Sequence, residues 1–221
     1  MPVSLKEVIT VTKSAAKAIK KIHNSGYLYL DVKPENIFVL EGTAEIVQLF
    51  DFDSLIPLNR KSEITDYKIS YSKGFSPVEQ RTGKLKTIGK YTDIYGIGAL
   101  LFYLVFGRTP GALECDMDFK YEYFKAKYSM DTYRDKLQYA LTDFFHHTLA
   151  SCYLDRYQDM NDVLTMLDEI ESYADCSLPF ICDSYVSFDT EIIGREEEIK
   201  ELEQWYYNTD ETCIFVTGMG A

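Results

Sequence analysis

The sequence predicts a mainly α-helical domain with a few short β-hairpins, and three stretches carry that reading. Residues 2–26 hold one long amphipathic stripe, Ile94–Phe106 is apolar on nearly every face, and short apolar runs between Tyr27 and Phe50 are interrupted by the turn EGTA.

Taken in order, the first element is a helix. Leu5, Val8, Ile9, Thr12, Ala15, Ala16, Ile19 and Ile22 recur at three- and four-residue spacing, which gathers them on one face. Ser4 with Glu7 has the capping-box pattern. Lys20, Lys21 and His23 place cations in the last turn, where they complement the helix dipole, and Gly26 supplies the stop. Short strands are expected at Tyr27–Leu30, Ile37–Leu40 and Ile46–Phe50. Residues 60–90 read as a long ordered loop, and long loops in compact domains tend to serve function. Tyr91–Pro110 reads as a central buried helix ended by Gly107 and Pro110. Helical periodicity returns at Tyr121–Lys127, Lys136–Leu149 and Asn161–Tyr173. Residues 174–190 lose it and read as a linker. A charged helix over 195–207 and a buried strand over 212–218 follow.

The net charge is −12, so nucleic acid and anionic membrane are poor default partners, because phosphate binding needs concentrated Lys and Arg. The run Ile94–Phe106 is too short to span a bilayer. The five cysteines, at 115, 152, 176, 182 and 213, are odd in number and lack zinc-ligand spacing. With no secretory signal pattern at the start, reduced thiols and a cytoplasmic setting are expected.

One segment resists a purely structural account. In YLDVKPENIFVL, residues 29–40, an aspartate, a lysine and an asparagine lie between apolar runs, and FDFDS follows the next strand. Such groups are costly to set among buried strands. Either they solvate a turn or they hold something charged. Further along come GFSPVEQ at 74–80, a helix that begins TDIYGIG at 92, and LDRYQDM at 154–160.

In this order and spacing, these segments resemble the large lobe of eukaryotic-type protein kinases over roughly Ser4–Tyr173, with an ending like that of bacterial Ser/Thr kinases. The resemblance implies ATP-dependent phosphoryl transfer to protein serine or threonine, with ATP and Mg²⁺ as cofactors. It implies that Asp31 accepts the substrate hydroxyl's proton, that Lys33 neutralises charge on the transferring group, and that Asn36 and Asp51 hold Mg²⁺ through hard oxygen ligands. Ser72 stands where a threonine reaches the catalytic Asp and Lys, unless it is a plain surface serine. Glu79 and Arg156 are implied to form a buried ion pair. Asp93 is implied to accept catalytic-loop N–H groups, to complement its own helix's dipole, or both.

Two positions depart from the family pattern. Tyr29-Leu30 replaces His-Arg, so no cation sits beside Asp31 to receive an activation-loop phosphate. Asp53 replaces the glycine after Asp-Phe; it either tolerates a positive φ or adds charge near the metal. No Gly-rich loop or strand lysine precedes the first helix, so the small lobe is expected in missing sequence or a neighbouring chain. The C-terminal stretch, with Gly194-Arg195-Glu196 and then Gly218 and Gly220, resembles the entry to a signalling ATPase of the AAA-like type, cut off within its phosphate loop; a glycine tail is the alternative. The expected organisation is therefore a kinase large lobe at 1–173, a linker at 174–190 and the truncated start of a P-loop NTPase module at 191–221. Two other readings stay open: a pseudokinase binding module that regulates an attached ATPase, and a metabolic or aminoglycoside-type phosphotransferase, against which Pro77-Val78-Glu79, Arg156 and the Ser72 loop argue.

Overall fold

The computed structural model describes residues 5–40, 47–60, 71–83, 85–112, 114–115 and 132–174. Its elements are α1 (Leu5–Asn24), β1 (Tyr27–Leu28), β2 (Ile37–Val39), β3 (Val47–Leu49), β4 (Ile56–Pro57), α2 (Val78–Arg81), α3 (Lys90–Phe106), α4 (Thr132–Leu149) and α5 (Met160–Tyr173). Short 3-10 turns at Pro34–Asn36, Leu58–Arg60, Leu85–Thr87 and Tyr153–Asp155 connect them.

α3 is the axis of the domain. Every residue from Thr92 to Phe102 is buried, as an all-round apolar helix requires, with α1 and α4 packed against it and α5 against both. Its C-terminus ends in the left-handed conformation at Gly107, whose N–H donates to the Tyr103 carbonyl at 2.6 Å. Gly96 decides how near the chain can come: a Cβ there would lie 2.7 Å from Val32 Cβ, so only glycine lets the loop after β1 pack onto α3. Phe102, Phe106, Phe144 and Phe145 interlock at the α3–α4 contact with centroids 4.5–6.1 Å apart; truncating one such ring to alanine typically costs about 3–5 kcal/mol.

The stripe expected on α1 is its buried face, from Leu5 to Ile19, with Ile22 packed at the edge. Buried Thr12 satisfies its hydroxyl by donating to the Val8 carbonyl at 2.8 Å. His23 departs from expectation. It is buried, with Nε2 2.7 Å from Asp93 Oδ2, so it is tertiary glue and not an exposed dipole partner.

Two antiparallel pairs complete the frame. β2 pairs with β3 in the register Ile37↔Leu49, Phe38↔Gln48, Val39↔Val47. β1 pairs with β4, Tyr27↔Pro57 and Leu28↔Ile56, a pairing the sequence pattern did not suggest. β1 is also shorter than the Tyr27–Leu30 expected, because the N–H groups of Tyr29 and Leu30 are taken by Asp93 and cannot enter a ladder. Leu28, Leu30, Ile56 and Ile88 form a small apolar cluster of their own beside this pair. Within 60–90 the described part contains α2 and a 3-10 turn as well as loop. α4 begins before the expected Lys136, and α5 starts at Met160, where Asp159 caps it by accepting from the Asn161 N–H at 2.9 Å. Among the described residues no helix is long and apolar enough to cross a membrane. Ser4, the helix expected at 121–127, the linker beyond Ala174, and the segment with Gly218 and Gly220 lie outside the described residues.

Candidate functional site

The loop between β1 and β2 is anchored from beneath. Asp93, in the first turn of α3, accepts the Tyr29 N–H at 2.9 Å and the Leu30 N–H at 2.7 Å, and its Oδ2 also meets His23. Leu30 adopts φ +64. For a bulky side chain that conformation costs about 1–3 kcal/mol and survives only where its surroundings over-determine it. Here Asp93 holds its N–H, and the buried amide of Gln80 on α2 donates to its carbonyl at 2.6 Å.

Asp31 follows directly. Its carboxylate is buried and receives three side chains: Lys33 Nζ at 2.7 Å and Asn36 Nδ2 at 2.6 Å on Oδ2, and Ser72 Oγ at 2.8 Å on Oδ1. Asn36 also donates to the Asp31 carbonyl at 3.0 Å, closing the loop into a ring whose 3-10 turn is started by Pro34. Asp31, Lys33, Asn36 and Ser72 thus converge on one point, with Ser72 arriving from 41 residues away.

Asp51 enters from the hairpin. The Phe50 N–H donates to the Asn36 carbonyl at 2.9 Å, which brings the chain next to Asn36 just as Asp51 turns out. Asp51 is exposed, takes φ +58, and accepts the Asp53 N–H on Oδ1 at 3.3 Å. Tyr29 supports this turn: its hydroxyl donates to the Phe50 carbonyl and its ring meets Phe52 edge-on at 5.9 Å. Burial, and then the negative charges of Asp31 and Asp51, push the Tyr29 phenol well above its ordinary range, so it remains a neutral donor.

Asn36 commits its amide nitrogen to Asp31, which leaves its oxygen as the atom to offer a cation. With Asp51 that makes two hard oxygen donors. Such a sparse set suits Mg²⁺, which keeps several waters and takes its remaining ligands from substrate phosphates. Among the described residues no group of three or more His, Cys, Asp or Glu is placed to hold a metal.

Glu79 and Arg156 meet at the far end. Arg156 Nη1 and Nη2 reach Glu79 Oε1 and Oε2 at 2.6 and 3.2 Å, both residues buried. Arg156 also donates to the carbonyls of Ala150 at 2.7 Å and Tyr91 at 3.3 Å and lies 5.0 Å over the Tyr95 ring. The Thr92 hydroxyl donates to Glu79 at 3.4 Å and accepts from the Gly89 N–H, so α3's start is tied to the same pair. Sequence reasoning missed His23, Tyr29 and Gln80 as supports of this site. Tyr29 and Gln80 lie within the quoted segments and His23 outside them, but none shows its role locally, because their partners lie 21 to 70 residues away.

Comparison with known proteins finds protein kinases both by sequence and by fold. Serine/threonine-protein kinase F of Synechocystis is 25% identical over 169 residues, covering 76% of this chain and 32% of that protein. Serine/threonine-protein kinase D of the same organism is 27% identical over 121 residues, covering 52% of this chain and 23% of that protein. The chain therefore spans a third or less of these relatives. Among solved structures, the twitchin kinase region of C. elegans superposes with a TM-score of 0.56 at 20% identity, over 94% of this chain and 34% of that one. Titin kinase with its flanking domains gives 0.56 at 13%, over 81% and 32%. The family model for the protein kinase domain matches residues 1–166, three quarters of the length, and the chain belongs to that family.

Proposed function

We propose that this domain transfers the γ-phosphoryl group of ATP to a serine or threonine hydroxyl of a protein. The observation that carries the proposal is the convergence of Lys33, Asn36 and Ser72 on the buried Asp31 carboxylate. Phosphoryl transfer depends on positioning and charge neutralisation more than on covalent help, and this arrangement supports both. The substrate oxygen forms a bond to the γ-phosphorus, the bond to the ADP oxygen breaks, and the hydroxyl proton passes to Asp31. Lys33, partly exposed beside Asp31, would face the transferring group's negative charge. Ser72 would hold Asp31 in its orientation through Oδ1. Asn36 and Asp51 would hold Mg²⁺, which when bound offsets the β- and γ-phosphate charge.

A small lobe completing the nucleotide cleft is part of this reading. Its support is the set of exposed aromatic rings around Asp51: Phe50 and Phe52 flank it in sequence, and Phe38 meets Phe50 edge-on at 6.2 Å; apolar side chains grouped in this way mark interaction surfaces. A downstream P-loop ATPase module rests on the 194–196 and 218–220 sequence pattern alone. The acidic net charge supports a protein partner over nucleic acid or membrane, and the free thiols of Cys115 and Cys152 fit a cytoplasmic setting.

The test is γ-phosphate transfer to a Ser/Thr peptide by the full-length protein and by its Asp31→Asn variant. Transfer abolished by the substitution supports the proposal. Absence of transfer by the unaltered protein gives way to the pseudokinase reading.

A further inference from the structure

We propose that Gln80 is a positioning residue for phosphoryl transfer: its amide fixes the plane of the Leu30–Asp31 peptide and thereby the aim of the Asp31 carboxylate. The inference rests on the kinase reading above and names a residue that reading does not use. Gln80 is 2% exposed and its Nε2 donates to the Leu30 carbonyl at 2.6 Å. That carbonyl belongs to the planar peptide unit that also contains the Asp31 nitrogen, so fixing the oxygen fixes the direction in which Asp31 leaves the chain. The adjoining peptide is fixed by Asp93 through the Leu30 N–H at 2.7 Å. Leu30 is thus clamped on both sides at φ +64, a conformation its side chain would otherwise abandon.

The donor is itself held still. Gln80 follows Glu79 on α2, and Glu79 is gripped by the Arg156 guanidinium. Ser72, which reaches the other oxygen of Asp31, lies on the same segment, and its carbonyl accepts the Ser76 N–H at 2.9 Å. The segment 72–80 therefore touches Asp31 twice, once at its carboxylate and once through the peptide before it. Correct seating of this segment is read directly into the geometry of the proposed base, through the Ser72 hydroxyl and the Gln80 amide.

Gln80→Met discriminates positioning from mere space-filling, because methionine has similar volume and no donor. Two measurements on the full-length protein are needed. Hydrogen exchange over the peptide containing Leu30 and Asp31 reads the clamp and requires no catalysis; it should quicken in the variant. Steady-state transfer to a Ser/Thr peptide should show kcat lower by roughly 10- to 100-fold, the scale of an ångström's misplacement, with KM for ATP and peptide little changed, as for an interaction made mainly in the transition state. Should Gln80→Met not fold, Gln80→Glu keeps the shape, removes the donor at neutral pH and carries the same expectation. Unchanged exchange overturns the clamp. Faster exchange with unchanged kcat overturns its role in catalysis. A wild-type protein that transfers nothing refutes the kinase reading and the positioning role with it, while exchange still reports whether the clamp exists.

Discussion

Arg156 and Glu79 are 77 residues apart in sequence and form a two-pronged buried ion pair, 2.6 and 3.2 Å long. The pair ties the short helix α2, and with it the segment that reaches Asp31, to the loop before α5. Arg156→Ala should therefore destabilise the domain by about 3–5 kcal/mol, because it leaves a buried carboxylate without its partner. Arg81→Ala, at an exposed position, should fall within about 0.5 kcal/mol of wild type. The double variant Glu79→Leu/Arg156→Met should recover part of the loss, but not all, since the Ala150 and Tyr91 carbonyls lose their donor. Denaturant melts of the four proteins check this; equal midpoints for Arg156→Ala and Arg81→Ala would show that the pair contributes nothing.

Leu30 leads to a prediction about regulation. It stands where the family pattern has arginine, and it is packed with Leu28, Ile56 and Ile88. The loop before Asp31 is thus held to the chain after Asp51 by apolar contact, which no phosphate can switch. Phosphatase treatment of the full-length protein should leave its transfer rate unchanged, although Ser62, Thr65 and Ser70 are candidate acceptors in the sequence; the Ser72 hydroxyl is committed to Asp31. Leu30→Arg should lower stability by burying a cation in that cluster and should not create dependence on phosphate. A large rate loss on dephosphorylation, restored by rephosphorylation, would refute this account.

Much of this was legible in the sequence for a physical reason. α1 and α5 announce themselves because a buried helix face must repeat every 3.6 residues, α3 because a helix buried all round is apolar on nearly every face, and Asp31-x-Lys33-x-x-Asn36 is short enough for its chemistry to show as a local pattern. The kinase reading built on it is borne out by the family match. β4 was hidden because it has two residues, one of them Pro57, and derives its pairing from β1 alone. His23 and Gln80 were hidden because their roles exist only across the fold. A histidine near a helix C-terminus looks like a dipole partner until Asp93 is brought to 2.7 Å. A glutamine after Glu79 looks like surface until Leu30 turns its carbonyl inward.

Asp159 makes the acid side of stability testable. It caps α5 and meets Lys90 at 3.0 Å. The Asn161 N–H, followed by Lys90, holds its carboxyl below the ordinary aspartate range despite some burial. A carboxylate with a lowered folded-state pKa stabilises above its unfolded value and loses that contribution as pH falls through the folded one. Asp159→Ala should cost about 1 kcal/mol at neutral pH and flatten the acid limb of the melting profile. Asp159→Asn, which can still cap, should retain more of the stability and lose the pH dependence. If both variants keep the wild-type acid limb, Asp159 is not the titrating cap.

Asp51 is the position at which an enzyme and a scaffold differ most. Its φ of +58 is one that asparagine tolerates nearly as well as aspartate, so Asp51→Asn changes charge and metal affinity while leaving the backbone unstrained. The side chain is exposed and its one described contact is the Asp53 N–H, which an amide oxygen can still accept. The fold should therefore survive, with a melting temperature within a few degrees of wild type. Transfer should not survive. A metal that stabilises transition-state charge by several kcal/mol corresponds to roughly a thousandfold in rate at ~1.4 kcal/mol per tenfold, and the Asn36 oxygen alone is a poor holder. Asp53→Gly is the counterpart. Asp53 is exposed, and glycine supplies any hinge conformation, so this variant should keep its activity. The measurements are Mg²⁺-dependent nucleotide binding by calorimetry and γ-phosphate transfer to a Ser/Thr peptide, on full-length wild type and both variants. Transfer that persists in Asp51→Asn would remove Asp51 from the metal site. Wild type that binds ATP equally with and without Mg²⁺ and transfers nothing would make the four converging side chains at Asp31 a scaffold's inheritance, with partner binding as the property left to measure.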